Sequence, residues 1–150
     1  MGTFYRSRHE LIFAFKNGMA PHINSFELGQ HGRYRTNVWS YRGVNTLRTG
    51  RMDELALHPT VKPVRLVADA LLDCTARGDI VLDPFLGSAT TLLAAERVGR
   101  VCRGLEIDPL YADTAIRRWQ AHTGDEARHA DSGRSFDEIA AEAAEKRRVA

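Results

Sequence analysis

The sequence has few cysteines and no apolar run long enough to span a bilayer. Cys74 and Cys102 lack the spacing of metal ligands, and the six histidines form no metal pair, so we expect neither a metal site nor a disulfide. Both cysteines are instead expected to be small buried side chains. The N-terminal stretch MGTFYRSRHE lacks the apolar core of a signal peptide, which predicts a cytoplasmic location.

Acidic residues are missing between Glu27 and Asp53, although the net charge of the chain is only +2. This glycine-punctuated stretch contains arginines and aromatic residues, namely Arg33, Tyr34, Arg35, Trp39, Tyr41, Arg42, Arg48 and Arg51. A positive charge without opposing carboxylates suits nucleic-acid phosphates, and aromatic rings stack on unpaired bases. From these residues alone, nucleic-acid contact and a solvated surface loop with Trp39 in the core both remain open.

Residues 80–108 have the pattern of a strand, a helix and a second strand. A short apolar strand at 80–82 leads through a small-residue turn into a helix, and the second strand, at 101–107, carries Glu106. The turn lets a ligand approach the backbone, and an acid about twenty residues further on accepts hydrogen bonds from ribose hydroxyls. The pattern therefore predicts a ligand with a ribose. The structural alternative is a tight connection without a ligand.

Upstream of this unit, the segment HPTVKP at 58–63 directly precedes a predicted helix. The apolar positions of that helix at helical spacing are Val64, Val67, Leu71 and Cys74. Pro63 fits its first turn, and Gly78 lies just past its expected end. Thr60 and Lys62 are then placed at a positively polarised helix entrance, which suits a carboxylate. The structural alternative is a well-capped helix.

The motifs HPTVKP, DPFLGSATT and LEIDPLY, in this order, resemble the cofactor-binding half of the amino DNA methyltransferases. That family transfers a methyl group from S-adenosylmethionine to adenine N6 or cytosine N4. The resemblance covers about residues 5–124. It implies an α/β fold, a partial Rossmann-type S-adenosylmethionine-dependent methyltransferase fold. Its sheet is expected to be incomplete, because only residues 10–15, 80–82 and 101–107 have the pattern of strands.

The resemblance also assigns the residues of a cofactor pocket, namely Thr60, Lys62, Asp83, Phe85, Gly87, Ser88, Thr90 and Glu106. It implies that Asp83 faces the methionine ammonium, that Thr60 and Lys62 hold the carboxylate, and that Glu106 takes the ribose hydroxyls. The family turn usually reads GSGTT, whereas Ala89 replaces its second glycine here. An alanine at this position is strained if the position needs a positive φ.

The family's catalytic tetrapeptide is absent from the sequence. The family uses Asp, Asn or Ser, then Pro-Pro and an aromatic residue, to bind the amino hydrogens and stack on the flipped base. We therefore expect no catalytic residue in this chain and no activity from the isolated chain. The near-match at residues 108–111 is interpreted as a helix start, with Asp108 as the N-cap and Pro109 as the first helical residue.

Residues 1–124 are expected to form the C-terminal part of a methyltransferase domain. Within it, residues 1–52 provide a strand and a basic DNA-contacting loop, and residues 53–124 provide the cofactor-binding half. Residues 125–150 are expected to be a charged tail that is helical or disordered, with Ser135 and Glu138 as a capping box. The family context favours DNA contact by Arg33, Arg35, Trp39 and Arg42.

The expected partners are double-stranded DNA and a polypeptide segment that carries the catalytic loop, and neither a metal nor a membrane is expected. Two other interpretations remain open. One is a non-catalytic remnant that binds only cofactor or DNA. The other is a nucleotide-binding oxidoreductase fragment, against which the HPTVKP segment argues. The target base, the recognition sequence and a biological role such as restriction-modification do not follow from the sequence.

Overall fold

The computed structural model describes residues 4–5, 9–25, 35–41 and 62–149. In chain order its elements are α1 (Val64–Cys74), β1 (Ile80–Asp83), α2 (Thr90–Val98), β2 (Val101–Gly104), α3 (Pro109–Thr123) and α4 (Phe136–Val149). β1 and β2 pair in parallel, with Ile80 opposite Val101 and Asp83 opposite Gly104. The predicted strand, helix and strand unit is therefore confirmed, and the fold is α/β.

The core lies around α2, which contacts α1, β2 and α3. Its buried apolar side chains are small except for one leucine: Ala68, Ala89, Leu93, Ala94, Ala95 and Ala115. Small side chains let the helices approach one another closely, because less side-chain volume then lies between their backbones. Among the described residues, every helix is too short or too polar to traverse a lipid bilayer.

The outward face of the sheet is mostly apolar, with Arg103 as its charged member, and no described residue covers it. Ile80 is 67% exposed and Leu82 is 66% exposed, and Val101 on the neighbouring strand is also exposed. Within the described ranges, each of the two strands pairs with a neighbour on one side only. A parallel sheet is normally covered on both faces. The expectation of an incomplete sheet is thus confirmed for the described part of the chain.

α3 begins as the sequence predicts. The Asp108 carboxylate accepts a hydrogen bond from the Leu110 N–H at 2.9 Å, and Pro109 occupies the first turn, where no N–H is needed. Gly124, with φ at 79°, is the C-cap of the helix, and its N–H donates to the Gln120 carbonyl at 2.8 Å. The segment at 108–111 is therefore a helix start.

The last helix also begins with a predicted signal. The Glu138 carboxylate accepts from the Ser135 N–H at 3.0 Å, and the Ser135 hydroxyl accepts from the Glu138 N–H at 3.2 Å, which is a capping box. The hydrogen bond from the Ser135 N–H lowers the pKa of Glu138. Of the two states expected for the tail, the helical one is observed over Phe136–Val149.

The strand predicted at residues 10–15 is wrong, since none of residues 9–25 forms a strand. A strand needs a neighbour whose backbone completes its hydrogen bonds, and no described segment pairs with this one. Its side chains Leu11, Ile12, Phe13 and Phe15 are all exposed. The described sheet thus has two strands instead of three.

The ends of two other elements also differ from the prediction. β2 ends at Gly104, so Glu106 lies beyond the strand instead of within it. Pro63 is the N-cap of α1 instead of a residue of its first turn, and Thr75 is its C-cap, so the helix ends before Gly78 is reached. Thr75 ends it because its backbone is extended, while its N–H and hydroxyl both bond to the Leu71 carbonyl.

The prediction that both cysteines are buried fails for Cys74, which is exposed, and Cys102 is only half-buried. Cys74 is the last residue of α1, and its thiol lies 3.3 Å from the Ala70 carbonyl oxygen. Burial, and secondarily the charge of Asp83, raises the pKa of the Cys102 thiol. That thiol therefore stays protonated at neutral pH.

Candidate functional site

The turn between β1 and α2 is closed by short-range hydrogen bonds. The Asp83 carboxylate accepts from the Phe85 N–H at 3.0 Å, and the Ala89 N–H donates to the Leu86 carbonyl at 3.0 Å. Ser88 is only 5% exposed, whereas the Phe85 side chain is 87% exposed. The turn thus has a fixed backbone and a large aromatic side chain that faces outward.

Glu106 joins this turn to the start of α3. One of its carboxylate oxygens accepts from the Gly87 N–H at 2.6 Å, and the other accepts from the Asp108 N–H at 3.0 Å. The strand ends are held together as well, because the Leu105 N–H donates to the Asp83 carbonyl at 2.9 Å. Asp83 and Glu106 therefore lie at the same carboxyl-terminal edge of the sheet.

Lys62 is connected to the turn through its backbone. The Thr90 hydroxyl, at the first residue of α2, lies 3.5 Å from the Lys62 carbonyl oxygen. The Lys62 ammonium contacts both carboxylate oxygens of Glu10, at 2.7 and 2.5 Å, and both of these side chains are largely exposed. The lysine predicted to hold a ligand's carboxylate thus holds a carboxylate of this chain.

The structure brings most of the predicted pocket residues to one edge of the sheet and the adjoining helix entrance. These are Lys62, Asp83, Phe85, Gly87, Ser88, Thr90 and Glu106. Thr60 lies outside the described residues. Within the described ranges, no group of three or more His, Cys, Asp or Glu side chains is placed to hold a metal ion.

Ala89 adopts the left-handed conformation, with φ at 70° and ψ at 31°, and it is fully buried. This is the position where the family turn usually has its second glycine. An alanine here is strained because its Cβ approaches the backbone too closely. The position therefore has the positive φ at which an alanine is strained.

We expect Ala89→Gly to raise the free energy of unfolding by about 0.5 kcal/mol, because relief of about 1–2 kcal/mol of strain exceeds the roughly 0.8 kcal/mol lost with the methyl group. Ala94→Gly removes an equally buried methyl group from the interior of α2. It should cost about 2 kcal/mol, from the methyl group and from glycine's poor helix propensity. Urea unfolding measures both. Equal losses at the two positions would show that Ala89 is not strained.

One residue that contacts the turn was not singled out from the sequence. Arg118 of α3 donates from Nη1 to the Ser88 carbonyl oxygen. It lies three residues after Ala115 and seven after Tyr111, on the face of the helix directed toward the core. A cation on an otherwise apolar helix face is the sequence signal that indicates such a contact.

In the basic stretch between Glu27 and Asp53, the Arg35 guanidinium lies against α1. It contacts Asp69 at 2.8 Å and Asp73 at 3.4 Å, and its central carbon lies 4.7 Å from the centroid of a Trp39 ring. The Tyr41 hydroxyl accepts from Arg35 at 3.0 Å and donates to Asp69 at 2.6 Å. Residues 35–41 are therefore fixed to the surface of α1.

The charges of this contact stabilise one another. Burial opposes the charge of Arg35, but hydrogen bonds to Asp69 and Tyr41 outweigh it and raise the pKa of Arg35. Burial, followed by the bond to Asp69, also raises the pKa of Tyr41, so that hydroxyl keeps its proton. DNA contact by Arg35 and Trp39 stays a prediction. Arg33 and Arg42 lie outside the described residues.

Comparison with known proteins gives a consistent result. A family model described as DNA methylase matches residues 2–117. The DNA adenine methyltransferase YhdJ of Escherichia coli K12 is 38% identical over 112 residues, which are 75% of this chain and 34% of YhdJ. The type II methyltransferase M2.DpnII of Streptococcus pneumoniae is 33% identical over 122 residues, which are 79% of this chain and 44% of that protein. The chain thus spans less than half the length of either relative.

A solved structure shares the fold. The PvuII DNA methyltransferase, described as cytosine-N4-specific, matches with a TM-score of 0.52 and 24% identity, over 66% of this chain and 36% of that one. The likeness agrees with the parallel strands and the adjoining helices described above. Because the family model covers most of its length, the chain belongs to the DNA methylase family.

Proposed function

We propose that this chain supplies the cofactor half of a site-specific DNA methyltransferase, which moves a methyl group from S-adenosylmethionine to adenine N6 or cytosine N4. The observation that carries the proposal is the Glu106 carboxylate bonded to the Gly87 N–H, at the carboxyl ends of β1 and β2. In α/β sheets, nucleotide ligands bind beyond these strand ends, with an acid on the ribose hydroxyls.

The charges at this edge match the chemical groups of the cofactor. Asp83 offers a carboxylate to the methionine ammonium, Lys62 and Thr60 offer a cation and a hydroxyl to the carboxylate, and Glu106 accepts from the ribose hydroxyls. The other residues that we place in the pocket are Phe85, Gly87, Ser88 and Thr90. The cofactor itself supplies the activated methyl group on its sulfonium.

The acceptor side of the reaction needs residues that this sequence lacks. We propose that a polypeptide segment outside these 150 residues provides the Asp, Asn or Ser with Pro-Pro and an aromatic residue. Such a segment also explains the uncovered apolar side chains of the sheet edge and its surroundings, which include Ile80, Leu82, Ile107 and Leu110. The substrate is double-stranded DNA with a flipped base.

A second candidate is a non-catalytic remnant that still binds cofactor or DNA. The missing tetrapeptide and the strained Ala89 favour it. An oxidoreductase is disfavoured, because the chain belongs to the DNA methylase family.

The decisive experiment follows transfer of a labelled methyl group to DNA. We expect none from this chain alone, and at least about a tenfold excess over the separate components when the chain is mixed with the part of YhdJ that it does not match, because the catalytic loop supplies transition-state contacts. The blank is the same mixture with the labelled cofactor but without DNA. Activity of the chain alone would refute the proposal that the catalytic residues lie on a segment outside this chain. Cofactor binding without transfer in the mixture would support the remnant.

The ion pair between Glu10 and Lys62 leads to a separate prediction. Glu10→Gln removes a carboxylate that competes for the Lys62 ammonium, so S-adenosylmethionine should bind about 1.5- to 5-fold more tightly, as befits an exposed ion pair. Isothermal calorimetry at low salt measures the change. Glu126→Gln is the control, because it breaks another exposed ion pair, with Arg128. Weaker binding by Glu10→Gln would mean that Glu10 helps to hold the ligand.

A further inference from the structure

The peptide unit between Ser88 and Ala89 is held at both of its polar ends. Its N–H, on Ala89, donates to the Leu86 carbonyl at 3.0 Å, and its carbonyl, on Ser88, accepts from the Arg118 guanidinium. The orientation of this unit sets ψ of Ser88 and φ of Ala89 together. A group that fixes the carbonyl therefore also fixes Ala89 in its left-handed conformation.

The same turn is also held by a charge of opposite sign. The Glu106 carboxylate accepts from the Gly87 N–H at 2.6 Å, one residue before Ser88. Hydrogen bonds to charged groups are stronger than those between neutral groups, and both contacts are of this kind. Two charged side chains thus bind the backbone of the turn: the Glu106 carboxylate binds the Gly87 N–H, and the Arg118 guanidinium binds the Ser88 carbonyl.

We propose that Arg118 is a positioning residue for the cofactor turn, and that it keeps Ala89 in the left-handed conformation that a glycine adopts without help. The proposal rests on the function proposed above, since it treats this turn as part of the S-adenosylmethionine pocket. Arg118 acts through the backbone of Ser88 and Ala89 and needs no contact with the cofactor.

A simpler role for Arg118 is to dock α3 against α2. That docking already has another contact, because the Trp119 indole N–H donates to the Glu96 carboxylate at 3.1 Å. The two roles differ in how they depend on Ala89. A docking residue matters equally whether position 89 is alanine or glycine, whereas a residue that maintains a strained φ matters less once the strain is gone.

The test compares Arg118→Met with Arg117→Met, the neighbouring residue on α3, whose guanidinium lies 4.8 Å from the Phe136 ring centroid. Both substitutions remove one positive charge from the same helix. Calorimetric titration with S-adenosylmethionine should show about tenfold weaker binding for Arg118→Met and less than about twofold for Arg117→Met, given the strength of a charge-assisted hydrogen bond. Arg118→Lys should recover part of the affinity. Equal losses for the two methionine variants would overturn the proposal.

The second step repeats Arg118→Met in an Ala89→Gly background. We expect its cost in affinity to fall from about tenfold to about twofold, because glycine adopts a positive φ without strain. An unchanged cost would assign Arg118 to helix docking and overturn the proposal. If Arg118→Met does not fold, Arg118→Lys replaces it in both backgrounds.

The failure of this inference and that of the proposed function are distinguishable. If the unaltered chain does not bind S-adenosylmethionine, the proposed function fails. The free energies of unfolding of four proteins then still test the turn. These are the unaltered chain, Arg118→Met, Ala89→Gly and the variant with both substitutions. Non-additive effects of the two substitutions support positioning by Arg118, and additive effects refute it.

Discussion

Replacing Glu106 by glutamine is expected to weaken S-adenosylmethionine binding by about 10- to 100-fold, because each hydrogen bond to a charged group contributes about 1.5–3 kcal/mol. The carboxylate accepts from two backbone N–H groups, those of Gly87 and Asp108. A glutamine amide has one acceptor oxygen, and its NH₂ group faces the other N–H donor. The substitution therefore loosens the turn and also weakens the proposed ribose contact. Calorimetric titration of the whole chain measures the loss.

Glu145→Gln is the matched control. Glu145 is an exposed residue of α4, so the variant has the same change in charge away from the sheet edge. Its dissociation constant should stay within about twofold of that of the unaltered chain, as expected for an exposed charge. Circular dichroism of both variants separates lost affinity from lost structure. If Glu106→Gln binds as well as Glu145→Gln, the assignment of the pocket to this edge is wrong.

The parts of the fold that were predictable are those set by neighbours in sequence. Asp108 and Pro109 begin α3, and Ser135 with Glu138 begins α4, because a cap depends on residues two or three positions apart. The turn before α2 was predictable for the same reason. The proposed site residues from Asp83 to Thr90 lie between the end of β1 and the start of α2, and Glu106 follows two residues after β2, so locating these elements also locates the residues.

The features that the sequence did not predict depend on contacts between distant residues. The stretch at 10–15 has the apolar pattern of a strand, but its backbone meets no strand among the described residues. Lys62 pairs with Glu10, 52 positions away, and periodicity contains no information on such a pair. Arg118 and Ser88 are likewise 30 positions apart. A sequence does not distinguish a charged residue that forms an ion pair within the chain from one that binds a ligand.

Arg35→Met is expected to lower the free energy of unfolding by about 2 kcal/mol, since Arg35 is the cation between two half-buried carboxylates. Asp69 and Asp73 lie four residues apart on α1, so removing the guanidinium also leaves two like charges as neighbours. Urea unfolding measures the loss. Arg65→Met is the control, because Arg65 is exposed and lies 4.0 Å from Asp69. It should cost less than about 0.5 kcal/mol.

A DNA-binding role for the same segment predicts a different result for Arg33 and Arg42. Replacing both with glutamine should leave the free energy of unfolding unchanged and should reduce the salt slope of DNA binding by about 1.8, because each phosphate contact contributes about 0.9. Arg35→Met, by contrast, should act mainly on stability, since its guanidinium already binds Asp69 and Asp73. A reduced salt slope with unchanged stability in Arg35→Met would show that this arginine, too, contacts phosphate, and that its ion pairs are exchanged when DNA binds.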